Sequence, residues 1–518
     1  MTEDISINKK NEMSEENPSE IYKQRLQKLN KIKELGKNPY PNNYQKEYST
    51  KEIKEKYFST DEIEQSVLVK TAGRIFAKRP MGKAGFVHIQ DEEGIIQVYA
   101  NDKTLSSDEH EIFLNLDIGD IIGVEGEPFR TKTGEASLRA KVIDMLSKNI
   151  SPIPVVKEKD GKIYDAFSDV ETRYRQRYLD LIVNSSVRKN FILRSKIITE
   201  IRNFMNERKF LEVETPMMQS IASGAAAQPF KTHHNALNIP LYLRIAPELF
   251  LKRLLVGGVE KVYELNRNFR NEGISTKHNP EFTMMEVYQA YADYKDMMAL
   301  VEDLFSYLAQ KITGKDEVVY GEHTISLKKP WQQKTYLGII KEKTGIDFNS
   351  YLADENPSVE EAKSKAKEIG VDVSKLNTFW EVVDEIFSEK VEPYLIQPVF
   401  ITHYPKAVSP LAKNIPDNKH IVERFEPYIV GREMGNAFSE LNDPFEQEKR
   451  FLEQVKMKEA GAHEIIEMDE DYIEALKVGM PPAGGLGIGI DRLVMLFTNA
   501  SSIKDVILFP LLRPKLEK

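Results

Sequence analysis

The sequence predicts an α+β protein of more than one domain, with a small β-barrel ahead of a larger mixed region. Three observations carry that expectation. Five short β-rich runs, separated by turn residues, lie between positions 66 and 146. Ser151-Pro152-Ile153-Pro154 then favours extended backbone, as a linker does, because each proline restricts its predecessor. Beyond it, helical stripes and polar-faced strands continue to residue 518, and the whole chain exceeds the size at which a single core stops growing.

Composition narrows the function classes. The 72 Lys+Arg and 81 Asp+Glu leave a formal charge of −9, with 41% hydrophobic and 30% charged residues, the profile of a soluble globular protein. No cysteine is present, which excludes disulfides, iron–sulfur clusters, thiolate zinc sites and a Cys nucleophile. No run of about 18 uncharged apolar residues occurs, so no membrane span is expected. Met1 to Ser19 is polar and acidic without an apolar signal core, and a cytoplasmic location is the expectation.

In chain order, residues 1–20 read as a disordered polar tail and 21–65 as a basic helical segment. Ten Lys/Arg face only four acids between 21 and 60, and Tyr22, Leu26 and Leu29 recur at helical spacing. A helix docking on nucleic acid and a solvated surface helix both fit. Residues 66–150 form the expected barrel. Alternation in Phe86–Gln90 sends Val87 and Ile89 inward and Phe86, His88 and Gln90 outward, and Gln97 and Tyr99 alternate with Ile96 and Val98 in the same way. An aromatic on a polar face suits base stacking, although a ring capping a second small core fits equally. Residues 151–170 read as linker and 171–518 as the larger α+β domain. There a helix with Leu193, Ile197, Ile201 and Phe204 on one stripe precedes a short strand, Phe210–Glu214, that ends at Thr215-Pro216. About residues 300–400 read as a mostly helical insertion. The adjacent His233-His234 pair cannot chelate a metal as an i, i+4 pair does and reads as structural.

Two common nucleotide signatures are missing, the P-loop and a G-x-G-x-x-G after a strand, so any ATP must be held otherwise. Three clusters carry chemistry. A strand over Lys261–Arg270 aligns Glu264, Asn266, Asn268 and Arg270 on one face; burying such a row is costly unless it meets a polar ligand. After a loop with Glu272, Lys277 and His278, a second strand aligns Phe282, Met284, Glu286 and Tyr288. The pair offers a forked cation, a stacking ring and a carboxylate, although a plain Arg270–Glu286 surface salt bridge explains two of these more simply. Near the C-terminus, Gly484, Gly485, Gly487 and Gly489 permit close approach of backbone, and Arg492 sits at a helix start. A cation there opposes the dipole, which makes sense if an anion occupies the site; a structural glycine turn with an exposed Arg is the plainer alternative. In the third cluster, Asn436, Phe438 and Glu440 alternate along one face. Glu426 and Glu433 are an odd number of residues apart and need a bend, which Gly431 and Gly435 can supply. Carboxylates without thiolate or His partners suit Mg²⁺ shared with phosphate oxygens.

In this order the clusters resemble the three motifs of class II aminoacyl-tRNA synthetases: Thr215-Pro216 after helix and strand, Phe269-Arg270-Asn271-Glu272 with the following strand, and Gly487-Ile488-Gly489-Ile490-Asp491-Arg492. A barrel ahead of them resembles the subclass with the lysyl, aspartyl and asparaginyl enzymes. Arg244–Arg253, Asn266–Ser275, His278–Glu286 and Gly435–Asp443 are similar to the bacterial lysyl branch, and the likeness covers about residues 60–518.

The resemblance implies an OB-fold barrel reading the anticodon through Arg74, Phe86, Gln97 and Glu135. It implies a catalytic domain built on an antiparallel sheet flanked by helices, and a homodimer with Pro216 at its interface. It further implies lysine activation with ATP and transfer to the 3′-terminal adenosine of tRNA(Lys). Arg270 and Arg492 would be the catalytic cations, and Glu272, His278, Asn279, Phe282 and Glu426 would join them around ATP. Glu426 and Glu433 would hold Mg²⁺. Gly224, Glu248, Arg270, Glu286, Tyr288, Asn436, Phe438 and Glu440 would bind lysine. A related ligase that lysylates an elongation factor lacks the barrel; the aspartyl and asparaginyl enzymes should have cationic or neutral pockets; a dead tRNA-binding relative would not need the arginines and carboxylates intact. The chain departs from the usual pattern at Ala222-Ser223 and Gln228, where relatives carry Pro-Gly and Arg, so the role of that loop is left open.

Overall fold

The computed structural model describes residues 20–60, 67–154, 157–159, 162–164, 167–221, 224, 227–354, 357–459 and 468–515. The tail over 1–19 and the Ala222-Ser223 departure lie outside them. The chain divides into two compact units, Met1–Asp169 and Val170–Lys518.

In the first unit, β1 (Val69–Met81), β2 (Ala84–Gln90), β3 (Ile95–Asn101), β4 (Ile121–Arg130) and β5 (Ala136–Ser147) close into a barrel in the order β1-β2-β3-β5-β4. Closure removes sheet edges. The inward set is the one that alternation predicts: Val87, Ile89 and Val98 are fully buried and Ile96 nearly so. Two helices precede the barrel, α1 (Glu20–Glu34) and α2 (Thr50–Tyr57), and α3 (Ser107–Leu114) lies between β3 and β4. The sequence stripe on α1 needs correction. The buried face is Arg25, Leu29 and Ile32, with Tyr22 and Leu26 at its margin. Arg25 turns inward because loop carbonyls await it: its guanidinium donates to Ile118 O, Ser151 O and Asn149. Lys28 pairs with Asp117, so part of the basic charge of this segment fastens α1 to the barrel.

The second unit is organised by one sheet. Its strands are β6 (Leu211–Glu212), β7 (Lys261–Phe269), β8 (Glu281–Ala290), β9 (Gln332–Thr335), β10 (Val399–Thr402), β11 (Arg424–Ile429), β12 (Gly435–Ser439) and β13 (Ala483–Gly489). They stand in the order β9-β10-β11-β12-β13-β8-β7-β6, with a short arm, Arg432–Glu433, paired to β11. The six central strands are antiparallel as expected; the outermost pairings, β9 with β10 and β6 with β7, are parallel.

One face of this sheet is apolar. Tyr263, Met285, Val287, Phe425, Ala437, Leu486 and Ile488 join a core with α4 (Ser185–Glu207), α6 (Tyr294–Thr313) and α7 (Ile490–Thr498). Ile197, Ile201 and Phe204 form the buried stripe on α4 and Leu193 packs at its edge. Covered by helices on one side, the sheet leaves its other face free to be polar, and there the site residues stand. The helix α6 belongs to this main core through Met297, Val301, Leu304 and Phe305. The insertion therefore begins after it. It contains a hairpin, Glu317–Tyr320 with His323–Ser326, besides helices Tyr336–Thr344, Val359–Glu368 and Phe379–Lys390 around a second core. Those strands are only four residues long, too short for a period-2 pattern to stand out from their surroundings.

A buried ion pair joins the end of the motif after α4 to the sheet. Arg244, 1% exposed, donates to Glu264 Oε1 at 2.6 Å, to Thr215 O and to Arg267 O, and Thr215 Oγ1 donates to Glu264 Oε2 at 2.7 Å. Arg244→Met strands the Glu264 carboxylate in the interior and is expected to cost about 3–5 kcal/mol by denaturant unfolding, whereas the Arg244→Met/Glu264→Gln double variant recovers a large part of it.

Candidate functional site

Sheet register builds the site. Asn436, Gly487, Glu286 and Glu264 form one row across β12, β13, β8 and β7; Phe438, Gly485 and Tyr288 form the next. The glycine run is therefore the middle strand of the sheet and not a loose turn. Having no side chains on this face, it leaves a trough whose walls are carboxylates and rings. A Cβ at 485 would collide with Glu440 Oε1 and come 2.7 Å from Tyr288 Cε1; one at 487 would lie 3.2 Å from Met284 Cε.

The cup at one end of the trough is acidic and closed to water. Glu286 is 4% and Glu440 1% exposed, and Glu248 at the start of α5 (Glu248–Val256) is 8% exposed. Gly224 adjoins Glu248, where φ is +92° and a Cβ would sit 3.4 Å from Glu248 Cβ. Tyr288 donates to Glu286 Oε2 at 3.2 Å, and Glu440 Oε1 has no hydrogen-bond partner. Burial pushes the Glu286 carboxyl up to about 8, with Glu248 adding to it and Arg270 opposing. Burial likewise pushes Glu440 up to about 8 against the pull of Lys252. Burial favours the protonated form of these carboxyls, and a cation brought beside them favours the ionised one.

Sequence reasoning missed Lys252. Its side chain is fully buried on α5, with Nζ 2.6 Å from Glu248 Oε1 and in contact with Glu440 Oε2. Burial works against its charge, but Glu248 and Glu440 hold its pKa above the usual lysine value. The available signal was its i, i+4 spacing from Glu248 on an otherwise apolar stripe.

Toward the other end lie the cations. Arg270 follows β7, its backbone N–H donating to Pro280 O; its guanidinium stands 5.3 Å from the Phe282 ring and its Nε is buried without a partner. Among the described residues no Arg270–Glu286 salt bridge forms, so the simpler explanation of that pair does not apply. Asn266 Oδ1, both amide atoms of Asn268, and Asn279 Oδ1 are also buried and unpartnered. This is the costly polar row anticipated above, and it awaits a ligand. Glu272 and His278 are exposed beside it. Arg492 donates to Glu433 O at 2.7 Å, to Glu433 Oε2 at 3.1 Å and toward His278 Nε2 at 3.2 Å. Desolvation and the Arg492 charge lower the His278 pKa, so the ring is neutral and accepts.

Glu426 and Glu433 do converge, by a tighter device than a bend. Val430 (φ 49°) and Gly431 (φ 65°) make a two-residue hairpin that sets Glu433 opposite Tyr428, two residues from Glu426 on the same face. The register then slips by one before Arg424 meets Phe438. Glu426 is braced by Arg424 on Oε1 at 2.6 Å and by the hydroxyls of Tyr404 and Tyr428 on Oε2. Burial raises its pKa, Arg424 opposes, and Glu433 adds. Both acids are hard oxygen donors, and among the described residues no three or more acids or histidines cluster tightly enough to hold a metal alone. Two carboxylates fit Mg²⁺ only in partnership with phosphate oxygens.

On the barrel, Phe86, Gln97 and Glu135 stand together. Gln97 Nε2 donates to Glu135 Oε2 at 2.8 Å, His88 contacts Glu135 Oε1 at 3.0 Å, and the Phe86 and Tyr99 rings lie 5.0 Å apart. Arg74 is not among them: its guanidinium donates to Gly119 O at 2.7 Å. Arg79, directly opposite Phe86 and exposed, is the cation beside the platform. β1 carries a β-bulge between Ile75 and Ala77, so Arg74, which the resemblance alone nominated, pairs with Gln90 on the far side of it. Pro216 is itself exposed and is followed by exposed Met217 and Met218; Leu211, on β6, is exposed as well. Gln228 offers its main-chain carbonyl to the Asn271 N–H at 2.8 Å, an anchor independent of the side chain there. The His233 and His234 side chains are exposed and make only local contacts, with Asn238 and Leu237.

Residues 169–513, well over half the chain, match the family described as tRNA synthetases class II (D, K and N), and residues 69–146 match the OB-fold nucleic acid binding domain. The chain is 54% identical to the lysine–tRNA ligase of Carboxydothermus hydrogenoformans, covering 97% of this chain and 100% of that protein. It is 50% identical to the lysine–tRNA ligase of Syntrophomonas wolfei, covering 97% and 99%, and 50% identical to that of Bacillus subtilis, covering 95% and 97%.

The glycine trough makes a sharp prediction. Gly485→Ala forces Glu440 aside and should raise the concentration of cationic ligand needed for half-saturation by about 10- to 100-fold, from an overpacking cost of about 1–3 kcal/mol, with little change in nucleotide binding; titration calorimetry with each ligand checks it.

Proposed function

The chain belongs to the class II tRNA synthetases of the D, K and N group, and we propose that within it this protein acts as a lysine–tRNA ligase. One observation carries the choice of amino acid: three buried carboxylates, Glu248, Glu286 and Glu440, meet in one cup on the sheet face that also carries Arg270. A neutral side chain would leave those acids desolvated and unpaired, which costs several kcal/mol; an acidic one would be repelled.

Lysine enters with its ε-ammonium against Glu440, Glu286 and the Tyr288 hydroxyl, its α-ammonium against Glu248 near Gly224, and its carboxylate on Arg270. Asn436 and Phe438 complete the wall. ATP lies along the polar row, its adenine on Phe282, with Glu272, His278, Asn279 and Glu426 around it and Arg492 on the γ-phosphate. Glu426 and Glu433 would hold Mg²⁺, which would supply charge neutralisation for the leaving pyrophosphate. A lysine carboxylate oxygen bonds to the α-phosphorus in line as the α–β anhydride bond breaks and pyrophosphate leaves with the electron pair. The terminal ribose hydroxyl of the tRNA then attacks the lysyl-adenylate carbonyl, its proton passes to the departing phosphate, and AMP leaves. No side-chain nucleophile is needed; positioning and fixed charges lower the barrier.

The partners are lysine, ATP and tRNA(Lys), whose anticodon the Phe86 platform stacks. A second copy of the chain covers the apolar surface around Pro216, Leu211, Met217 and Met218, giving a homodimer. Among the described residues no helix is long and apolar enough to cross a membrane; the protein works in the cytoplasm, where its substrates are.

ATP–pyrophosphate exchange tested with each of the twenty amino acids should respond to lysine, with aspartate and asparagine inert. Glu440→Gln and Glu286→Gln should raise the lysine KM by about 100-fold or more while sparing the ATP KM. Because both carboxyls must ionise to hold a cation and rest near 8 when the cup is empty, the lysine KM of the parent should fall as pH rises from 6.5 to 8.5. Exchange driven by aspartate, or variants with unchanged lysine KM, would refute the assignment. Phe86→Ala should reduce kcat/KM for tRNA charging by about 10-fold or more, at roughly 1–3 kcal/mol per stacked base, and leave exchange intact; parallel assays of both reactions check this.

A further inference from the structure

We propose that Lys252, on α5 and against the wall of the cup, sets the net charge of the cup to match a ligand with two ammonium groups, and so positions and selects lysine. The inference rests on the lysine reading above. Its geometry is specific. Nζ touches one oxygen of each of two acids, Glu248 Oε1 and Glu440 Oε2, while Glu440 Oε1 stays without a hydrogen-bond partner. Lys252 thus fixes the rotamers of both carboxylates and leaves them able to accept from a substrate. The groups facing it are few: Glu248 on its own helix, Glu440 after β12, and the rings of Phe438, Tyr472 and Tyr288 at 5.4, 5.9 and 6.0 Å. The next residue, Arg253, is tied off on Asp469 at 2.8 Å and cannot replace it.

The charge count is informative. Three carboxylates give −3, Lys252 gives +1, and the cup carries −3 + 1 = −2 when its acids are ionised. Free lysine brings two ammonium groups for those charges and a carboxylate for Arg270. Without Lys252 a fully ionised cup would exceed the ligand by one charge and would have to keep a proton on an acid that should be gripping an ammonium. A structural role alone does not explain the residue. Three rings and a helix stripe would accept an aliphatic side chain of the same length, and burying an ion pair gains little stability over apolar packing. The carboxyls of Glu286 and Glu440 already rest near 8 with Lys252 in place; Glu248 and Glu286 raise Glu440 further and Lys252 is the cation that opposes them.

The test compares Lys252→Met, Lys252→Gln and Lys252→Arg with the parent chain, all full length, in ATP–pyrophosphate exchange from pH 6.5 to 9.5. In the parent the lysine KM falls through an inflection near 8. In the neutral variants the inflection should move up by about one unit, and at pH 7 the lysine KM should rise by about 10- to 100-fold, the gap narrowing at pH 9.5, with the ATP KM unchanged. Lys252→Arg keeps the charge and should keep the inflection near 8 even if its KM is higher throughout. A purely structural residue would change stability or shift KM equally at every pH. Neutral variants with the parent's inflection, or an arginine variant that follows the neutral ones, would overturn the proposal. If Lys252→Met does not fold, the contrast between Lys252→Gln and Lys252→Arg decides in the same way. A parent that shows no lysine-dependent exchange would instead defeat the functional reading itself.

Discussion

A strand without side chains is the constraint on which the rest of the site depends. Gly485, Gly487 and Gly489 run down the centre of the sheet, and their flanking strands carry Phe438 and Asn436 on one side and Tyr288, Glu286 and Met284 on the other. A backbone floor lets the carboxylates of Glu248, Glu286 and Glu440 come together over it. It also explains why the apolar face must be complete: with nothing but hydrogen atoms on the site face of β13 from Gly485 to Gly489, that stretch is held by its ladder bonds and by Leu486 and Ile488 packed under it. The cost of burying acids on the site face falls on a fold whose other face is a continuous helix-covered core.

Much of this was legible in the chain because period-2 alternation is strong in long strands. The rows Glu264–Arg270 and Phe282–Tyr288 were readable, as were the inward Val87 and Ile89 of the barrel, because each strand has one face of each kind. Three features were not. The four-residue strands after α6 carry too few repeats to show a period. The Arg25 stripe on α1 hides because a buried guanidinium looks like surface charge until the loop carbonyls that receive it are placed. Lys252 hides for the same reason: in a stretch reading Leu-Phe-Leu-Lys-Arg-Leu-Leu, a lysine suggests a solvent-facing position, and only the tertiary meeting of α5 with Glu440 shows otherwise. The convergence of Glu426 and Glu433 was foreseen, but its means, a Val430-Gly431 hairpin followed by a one-residue register slip, depends on pairings between strands that a single chain does not reveal.

The two sets of acids obey opposite rules. Glu426 is held by an arginine and two tyrosine hydroxyls, every one a donor, so its orientation is settled before any ligand arrives. The cup acids are left partly unsatisfied, with an oxygen of Glu440 facing none. On the proposed function, rigidity suits a group that would point at a cation shared with phosphates, and under-satisfaction suits groups that would meet the substrate itself.

Arg492 shows what such preparation implies for the resting molecule. Its guanidinium spans Glu433 and His278, so this arginine and this glutamate each answer the other's charge. On the proposed function, an incoming triphosphate would be a competitor before it is a ligand: it would take the arginine from the glutamate and in the same exchange free a carboxylate for a metal. Loading of the anion and readiness for the cation would then be a single swap of partners, with Glu433 engaged by Arg492 until the nucleotide arrives.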